Sequence, residues 1–263
     1  MNLESITLQT IEIAQKAAAF IKSERENFDP AKIEFKGHSS NLVSYVDKEA
    51  EKILVEGLSK ILPEAGFITE EGTIEQSNKE YCWLIDPLDG TTNFLHNVPI
   101  YSTSIGLLHN DFPVAGVIID IPMNEIFHAW KGGGAYANGR KIKVSTPKTL
   151  GECLIATGFP YQNFDKSEEY MNVLKGLMEN SHGLRRCGSA AIDMAWVAAG
   201  RFEGYFEYNI NAWDIAAGCI ILEEAGGKVT DFKGGNDYVF GKNIIASCGS
   251  IHSQFQEIVE KNW

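Results

Sequence analysis

Apolar side chains recur at helical spacing near the start of the chain, where Ile13, Ala17 and Ile21 fall on one face of residues 3–24. Charged side chains occupy the other positions, so this segment is predicted to be an amphipathic packing helix. A similar mixture of periodicity and helix start or stop signals predicts further helices. They cover residues 48–60, 167–179, 187–199, 213–225 and 252–260.

Short apolar or alternating segments between these helices predict strands. They lie at residues 65–69, 83–85, 104–107, 114–119, 125–129, 154–159, 204–208, 228–230 and 243–247. Asn110-Asp111 and Asn138-Gly139 are typical of tight hairpin turns. The mixture predicts an α/β (α+β) fold. A change of composition near residue 146 divides the chain into an N-terminal half, 1–146, and a C-terminal half, 147–263.

Composition narrows the class of protein. The chain has 263 residues, 44% of them hydrophobic, which is enough for one large compact domain or two halves that share an interface. Its five cysteines are scattered without a Cys-x-x-Cys pair, which argues against a disulfide scaffold or a zinc site. With no basic leader and no apolar run near ~20 residues, we expect a soluble, cytoplasmic protein without a membrane partner.

The formal net charge of −12 argues against nucleic acid as a partner, because such binding needs a basic face. An acidic protein that handles an anionic substrate has to recruit positive charge locally, and a bound divalent cation supplies it.

The most informative segment is residues 83–94, where an apolar strand runs into Asp86 and a predicted turn carries Asp89. Two carboxylates at one strand end repel each other unless a cation lies between them, and oxygen ligands favour Mg²⁺. If a helix starts at Gly90, its free N–H groups offer a seat for phosphate. The alternative for this segment alone is a surface Asp-Pro turn followed by a helix cap.

Other acidic residues lie at predicted strand ends or helix starts: Asp47, Glu70 and Asp214. Each has a structural explanation when taken alone, as a helix-start acid or a solvated side chain. Together with Asp86 and Asp89 they fit two or three Mg²⁺ ions and transfer of a phosphoryl group to water. No zinc-type or Ser-His-Asp pattern of histidines competes with this interpretation.

Two further features favour structural explanations. Lys36 lies in a small polar segment and is most simply a solvated lysine. The glycine run 132–134 lacks the remainder of a phosphate-loop motif, so it is interpreted as structural.

The combined motifs resemble the inositol monophosphatase family of lithium-sensitive, Mg²⁺-dependent sugar phosphatases. The resemblance rests on Glu70-Glu71, the segment 86–94, Gly188-Ser189-Ala190-Ala191, the segment 213–218 and Glu224-Ala225-Gly226-Gly227. It covers nearly the whole chain and implies a layered α-β-α-β-α sandwich. Ala212 stands where the family more usually has proline, and Gly72 follows the glutamate pair; neither position is an expected ligand.

The resemblance also implies a role for each site residue. Metal ligands would be Glu70, Asp86, Asp89 and Asp214, together with the backbone carbonyl of Leu88 and the side chain of Thr91. Asp47 and Thr91 would orient and deprotonate the attacking water, with Glu70 helping to place a third, weaker ion. Gly90, Thr91 and Thr92 would receive the phosphate. Substrate contacts would come from Gly188, Ser189, Ala190, Glu207, Asp89 and Asp214, and Lys36 would lie on a loop over the metals.

The substrate is left open by the sequence. Inositol 1-phosphate or a similar small sugar phosphate is the expected one, and the resemblance also suggests a homodimer. Fructose 1,6-bisphosphate, the 2′-phosphate of NADP⁺, 3′-phosphoadenosine nucleotides and histidinol phosphate are alternatives of the same chemistry. Arg185-Arg186 would suit a second phosphate or be a solvated pair. An alternative of another class is a regulatory binding partner of the transcription machinery.

Overall fold

The computed structural model describes residues 1–28, 33–35, 42–159 and 164–263. Lys36 and the predicted loop around it lie outside the described residues. The helices within these ranges are α1 (Leu3–Glu26), α2 (Tyr45–Ile61), α3 (Thr91–Leu95), α4 (Ser167–Asn180), α5 (Ala190–Ala198), α6 (Ala212–Glu224) and α7 (His252–Asn262). A short 3-10 helix spans Leu150–Glu152.

The strands of the described residues lie between these helices, singly or in runs of up to five. They are β1 (Ile33–Phe35), β2 (Leu42–Ser44), β3 (Gly66–Thr69), β4 (Tyr81–Asp89), β5 (Ser102–His109), β6 (Phe112–Asp120), β7 (Glu125–Trp130), β8 (Gly134–Ala137), β9 (Arg140–Lys141), β10 (Leu154–Thr157), β11 (Gly183–Arg185), β12 (Gly204–Tyr208), β13 (Lys228–Thr230) and β14 (Asn243–Ser247).

The larger sheet contains seven strands in the order β3-β4-β5-β6-β7-β8-β9. Strands β3 and β4 are parallel, and the remaining neighbours are antiparallel. Both predicted hairpins are confirmed: Asn110 and Asp111 join β5 to β6, and Asn138 and Gly139 join β8 to β9, all four with positive φ. Such left-handed turns match the twist of antiparallel strands.

The smaller sheet has five strands in the order β11-β10-β12-β14-β13. Strand β10 pairs in parallel with β11 and β12, whereas β14 runs antiparallel to β12 and β13. The carboxyl end of β12 therefore faces the same edge as the carboxyl end of β10. This edge carries Glu207.

The layers follow the order predicted from the family resemblance. Helices α1 and α2 cover one face of the seven-stranded sheet, α5 and α6 lie between the two sheets, and α4 and α7 cover the outer face of the smaller sheet. Apolar residues fill both sides of the larger sheet in two core clusters. One cluster joins residues from before and after position 146, and the two-domain division stays a prediction.

The segment around Pro87 differs from the sequence expectation. We expected a turn at residues 87–90, but β4 continues to Asp89 and its pairing with β5 is irregular between Asp86 and Asp89. Proline has no N–H to give to a sheet ladder, so it is tolerated at such an irregularity. The prediction of a turn was therefore wrong, although Gly90 directly after it does reverse the chain with φ 97°.

Among the described residues, no helix is both long enough and apolar enough to cross a bilayer.

Candidate active site

One cavity of about 410 Å³ collects the residues that the sequence singled out. Its lining contains all but two of the predicted site residues: Glu70, Asp86, Leu88, Asp89, Gly90, Thr91, Thr92, Gly188, Ser189, Ala190, Glu207 and Asp214. Asp47 is outside the lining and reaches it through Thr91, while Lys36 lies outside the described residues. The cavity is where the ends of β3, β4 and β12 meet the starts of α3, α5 and α6.

Three carboxylates of the cavity are nearly inaccessible to solvent. Asp86 is 2% exposed, Asp214 8% and Asp89 9%. Burial, followed by repulsion from Glu70, Asp89 and Asp214, raises the pKa of Asp86 well above its ordinary value. Burial also raises the pKa of Asp89 to about 6 and, with repulsion from Asp89, that of Asp214 to about 7. Such a group is costly to ionise without a compensating positive charge.

The acidic side chains of this cluster contact one another. Glu70 and Asp86 lie within hydrogen-bonding reach, as do Asp86 and Asp214, and each of these contacts needs a proton on one of its two carboxyl groups. In the part of the chain that the structure describes, no group of three or more His, Cys, Asp or Glu side chains already has the spacing of a metal centre. A divalent cation bound among these residues would supply the positive charge that the buried carboxylates lack. The oxygen-only donor set fits Mg²⁺.

Thr91 connects the cavity to α2. Its hydroxyl lies 2.8 Å from Asp47 Oδ1 and 3.0 Å from the Leu88 carbonyl oxygen, and it can donate its proton to one of them at a time. Asp47 is 1% exposed, in the first turn of α2. The structure thus couples a buried carboxylate to a hydroxyl that faces the cavity.

Gly90 sets the geometry of this turn. It has φ 97°, where an L side chain is strained, and an added Cβ would lie 3.0 Å from the Ile100 carbonyl oxygen and 3.2 Å from that of Gly188. The five-residue helix α3 follows, so the condition set by the sequence, a helix start at Gly90, is met. Among the described residues, its N-cap residue Gly90 offers no side-chain hydrogen bond.

The start of α5 binds the Asp89 carboxylate. Asp89 Oδ2 accepts hydrogen bonds from Ser189 Oγ at 2.6 Å and from the Ala191 N–H at 2.7 Å. These bonds favour the charged carboxylate and oppose the effect of burial on its pKa.

Glu207 lies on the opposite wall, from β12. Burial raises its pKa to about 8, and Tyr205 donates a hydrogen bond of 2.5 Å to Glu207 Oε2. Gly158 makes room for this carboxyl group, because an added Cβ at residue 158 would overlap it. Arg186 also lines the cavity, with its guanidinium 5.7 Å from the centre of the Phe159 ring. Arg186 is thus placed as the second-phosphate alternative requires, whereas Arg185 is exposed and outside the lining.

Sequence reasoning missed several wall residues: Thr157, Gly158, Phe159, Asp193, Asn209, Ile210, Asn211, Trp213 and Lys242. Two of them present buried polar atoms, Asp193 Oδ1 and Trp213 Nε1, that have no hydrogen-bond partner among the described residues. In the sequence Trp213 carries a signal only as part of the segment 213–218, and Asp193 carries none because it lies within an apolar helix. Both residues line the cavity, although these two atoms are themselves buried in its wall.

The glycine run 132–134 has the structural role that was predicted. The N–H groups of Gly132 and Gly134 each donate to the Glu224 carboxylate at 2.7 Å, on the edge of the larger sheet.

Comparison with known proteins gives a consistent result. The model of the inositol monophosphatase family matches residues 2–263. An inositol-1-monophosphatase of Mesorhizobium japonicum is 37% identical over 252 residues, which cover 95% of this chain and 94% of that protein. The Nus factor SuhB of Vibrio cholerae is 42% identical over 238 residues, 90% of this chain and 89% of its own. The solved structure of an inositol monophosphatase from Anabaena superposes with a TM-score of 0.90 at 36% identity, covering 100% of this chain and 98% of that one.

Proposed function

Because the chain belongs to the inositol monophosphatase family, we propose that it is a Mg²⁺-dependent phosphomonoesterase acting on inositol monophosphate or a similar small sugar phosphate. The observation that carries the proposal is the convergence of Glu70, Asp86, Asp89 and Asp214 in one cavity beside Thr91. These acidic residues come from three separate segments of the chain. Their mutual repulsion is explained if the site serves a divalent cation.

Glu70, Asp86, Asp89 and Asp214, with the Leu88 carbonyl and Thr91, would hold two or three Mg²⁺ ions. When bound, Mg²⁺ lowers the pKa of a coordinated water and offsets the charge of a phosphate dianion. Asp89 would bind the ion from a fixed position, because its Oδ2 already accepts hydrogen bonds from the start of α5.

Asp47 and Thr91 would activate the nucleophile. The Thr91 oxygen can accept a hydrogen bond from water while its own proton points to Asp47 Oδ1 at 2.8 Å. As water attacks phosphorus, its proton passes to the Thr91 oxygen and the threonine proton passes to Asp47. Asp47 is a buried acceptor placed for this transfer.

The substrate would lie between the two walls of the cavity. Gly90, Thr91 and Thr92 are assigned to the phosphate, while Gly188, Ser189, Ala190 and Glu207 are assigned to the alcohol portion. Glu207 suits a hydroxyl-rich substrate because its carboxyl group can accept or, when protonated, donate a hydrogen bond. Lys36 is assigned to a loop over the metal ions on the basis of the family resemblance alone.

Phosphate release tests the activity. Wild type and Asp86→Asn are assayed with saturating Mg²⁺ on inositol 1-phosphate, fructose 1,6-bisphosphate, NADP⁺, a 3′-phosphoadenosine nucleotide and histidinol phosphate. The matched control is Asp120→Asn, since Asp120 is also a buried acid of the larger sheet but lies outside the cavity lining. We expect Asp86→Asn to lose about 10²-fold or more in kcat/KM and the control to stay near wild type.

A folded wild-type protein that releases no phosphate from any compound would overturn the proposal. The relatives named Nus factor SuhB favour a second candidate in that event, a binding partner of the transcription machinery. It is tested by binding of the same protein to purified transcription complexes. The homodimer and the cytoplasmic location stay predictions, checked by light scattering and cell fractionation.

A further inference from the structure

Glu51 is a buried carboxylate on α2 whose hydrogen bonds all go to one short segment. It is 0% exposed. Its Oε1 accepts from Thr69 Oγ1 at 2.9 Å and from the N–H and hydroxyl of Thr73, each at 2.7 Å. Its Oε2 accepts from the Glu71 N–H at 2.8 Å. Both carboxylate oxygens are thus bonded to neutral donors, three at Oε1 and one at Oε2.

The segment bound in this way is the one that presents Glu70 to the cavity. Thr69 ends β3, and Thr69 and Glu71 flank Glu70 on either side. The Glu70 N–H itself donates to the Ile85 carbonyl oxygen of β4 at 3.1 Å. The backbone on both sides of Glu70 is therefore fixed, by β4 on one side and by Glu51 on the other.

The same helix supports the other end of the site. Asp47 and Glu51 are four residues apart on α2, so their side chains leave the helix on the same face. Asp47 contacts Thr91, and Glu51 contacts the segment at residues 69–73. One face of α2 thus carries Asp47, which is assigned to water activation, and also Glu51, which holds the segment of the proposed metal ligand Glu70.

We propose that Glu51 is a positioning residue that fixes residues 69–73 and thereby holds the Glu70 carboxylate in place for a divalent cation. This inference rests on the proposed function of the cavity. A buried acid would serve stability alone if its donors were scattered through the core. Here its donors converge on the residues that flank one proposed ligand.

The test uses metal binding by the full chain without substrate. Mn²⁺ is titrated into wild type and Glu51→Gln by calorimetry, and the Mg²⁺ dependence of phosphate release is measured in parallel. The glutamine keeps the size of the side chain, but its NH₂ group cannot accept from the donors around it. We expect Mn²⁺ affinity to fall about 10-fold or more, as for other residues that orient metal ligands. High Mg²⁺ should restore most of kcat.

The matched control for lost stability is Leu54→Ala, a fully buried position on α2 that is not among the donors or acceptors of residues 69–73. It should lower Tm and leave Mn²⁺ affinity unchanged. If Glu51→Gln lowers Tm in the same way but binds Mn²⁺ like wild type, the proposal is overturned. If wild type itself binds neither Mn²⁺ nor Mg²⁺, it is the proposed function that fails.

A second variant decides the case in which Glu51→Gln does not fold. Thr69→Val removes one donor to Glu51 and keeps the shape of a buried side chain. Its control is Thr10→Val, which removes a buried hydroxyl that bonds the Ile6 carbonyl oxygen in α1 at 2.9 Å. We expect weaker Mn²⁺ binding for Thr69→Val than for Thr10→Val. Equal affinities for these two variants would overturn the proposal.

Discussion

Asp89 Oδ2 accepts the hydroxyl proton of Ser189 at 2.6 Å, a contact between residues that are 100 positions apart in the chain. Asp89 ends β4 in the larger sheet, and Ser189 is the N-cap residue of α5 between the sheets. This contact places the end of β4 against the start of the central helix layer. The position of Asp89 therefore depends on how the two sheets are packed together.

Ser189→Ala should destabilise the protein by about 2 kcal/mol. It removes a donor to a buried carboxylate and the side-chain cap of α5, each worth about 1 kcal/mol. The measurement is urea unfolding at pH 7. Ser102→Ala is the control, because Ser102 contacts the same Ser189 hydroxyl at 3.1 Å but does not cap the helix. A larger loss for Ser102→Ala would contradict the assignment of the cap.

The sequence predicted most of the elements because their signals are local. Asn110 and Asn138 in the hairpin turns and Gly90 before α3 all have left-handed backbone. Asn and Gly tolerate this conformation, so the sequence marks these positions. The continuation of β4 past Pro87 was missed because the pairing with β5 that accommodates it is formed by residues distant in sequence.

Site residues that are close in sequence could be predicted to converge, whereas those brought together by packing could not. Asp86 and Asp89 are close in sequence, so their convergence follows from one strand. The sequence also placed Asp214 at a helix start, but only the packing of α6 against β4 and β5 shows that this start faces Asp86. Glu51 gave no signal, since it resembles any glutamate on the polar side of a helix. Its burial depends on the loop that folds over it.

Lys242 has φ 63° and, among the described residues with positive φ, it is the one that is neither Gly, Asn nor Asp. A left-handed conformation costs an L residue about 1–2 kcal/mol, and glycine avoids this cost. Glycine also makes the unfolded chain more flexible, which offsets part of that gain in stability. We expect Lys242→Gly to stabilise the protein by about 0.5–1 kcal/mol, measured by thermal unfolding.

Lys242→Ala serves as the control for Lys242→Gly. It keeps the Cβ and removes the ammonium group, which donates to Asn211 Oδ1 at 2.6 Å. The expected order of Tm is Lys242→Gly, wild type, Lys242→Ala. A glycine variant less stable than alanine would show that the backbone strain is not limiting.

His252 should make stability fall in weak acid. Its imidazole is buried between Thr230 Oγ1, 3.0 Å from Nε2, and Ser247 Oγ, 2.8 Å from Nδ1. Burial, with a smaller contribution from Lys228, lowers its pKa to about 4, against about 6.5 in the unfolded chain. The unfolded state therefore binds more protons between these values. This contribution to stability is complete above pH 6.5 and is lost as pH falls toward 4.

The variant His252→Asn isolates the contribution of the imidazole. It cannot be protonated in this range and keeps a polar group near Ser247. Melting temperatures at pH 7.5, 6.0, 5.0 and 4.5 should show wild type above the variant at neutral pH, with the difference shrinking as pH falls. A difference that stays constant over this range would mean that His252 does not titrate between the folded and unfolded states.

Asp47→Asn should separate water activation from metal binding. The asparagine oxygen can still accept from Thr91, but the side chain no longer takes up a proton. We expect kcat to fall about 10²–10⁴-fold, the range of general base catalysis, while the Mg²⁺ concentration for half-maximal activity changes little.

Glu49→Gln is the control, since Glu49 is an exposed acid on the same helix that pairs with Lys52. It should retain wild-type kcat. Equal losses of kcat and metal affinity in Asp47→Asn would instead place Asp47 among the residues that hold the ions, because an acid that only accepts a proton from water has no reason to affect both.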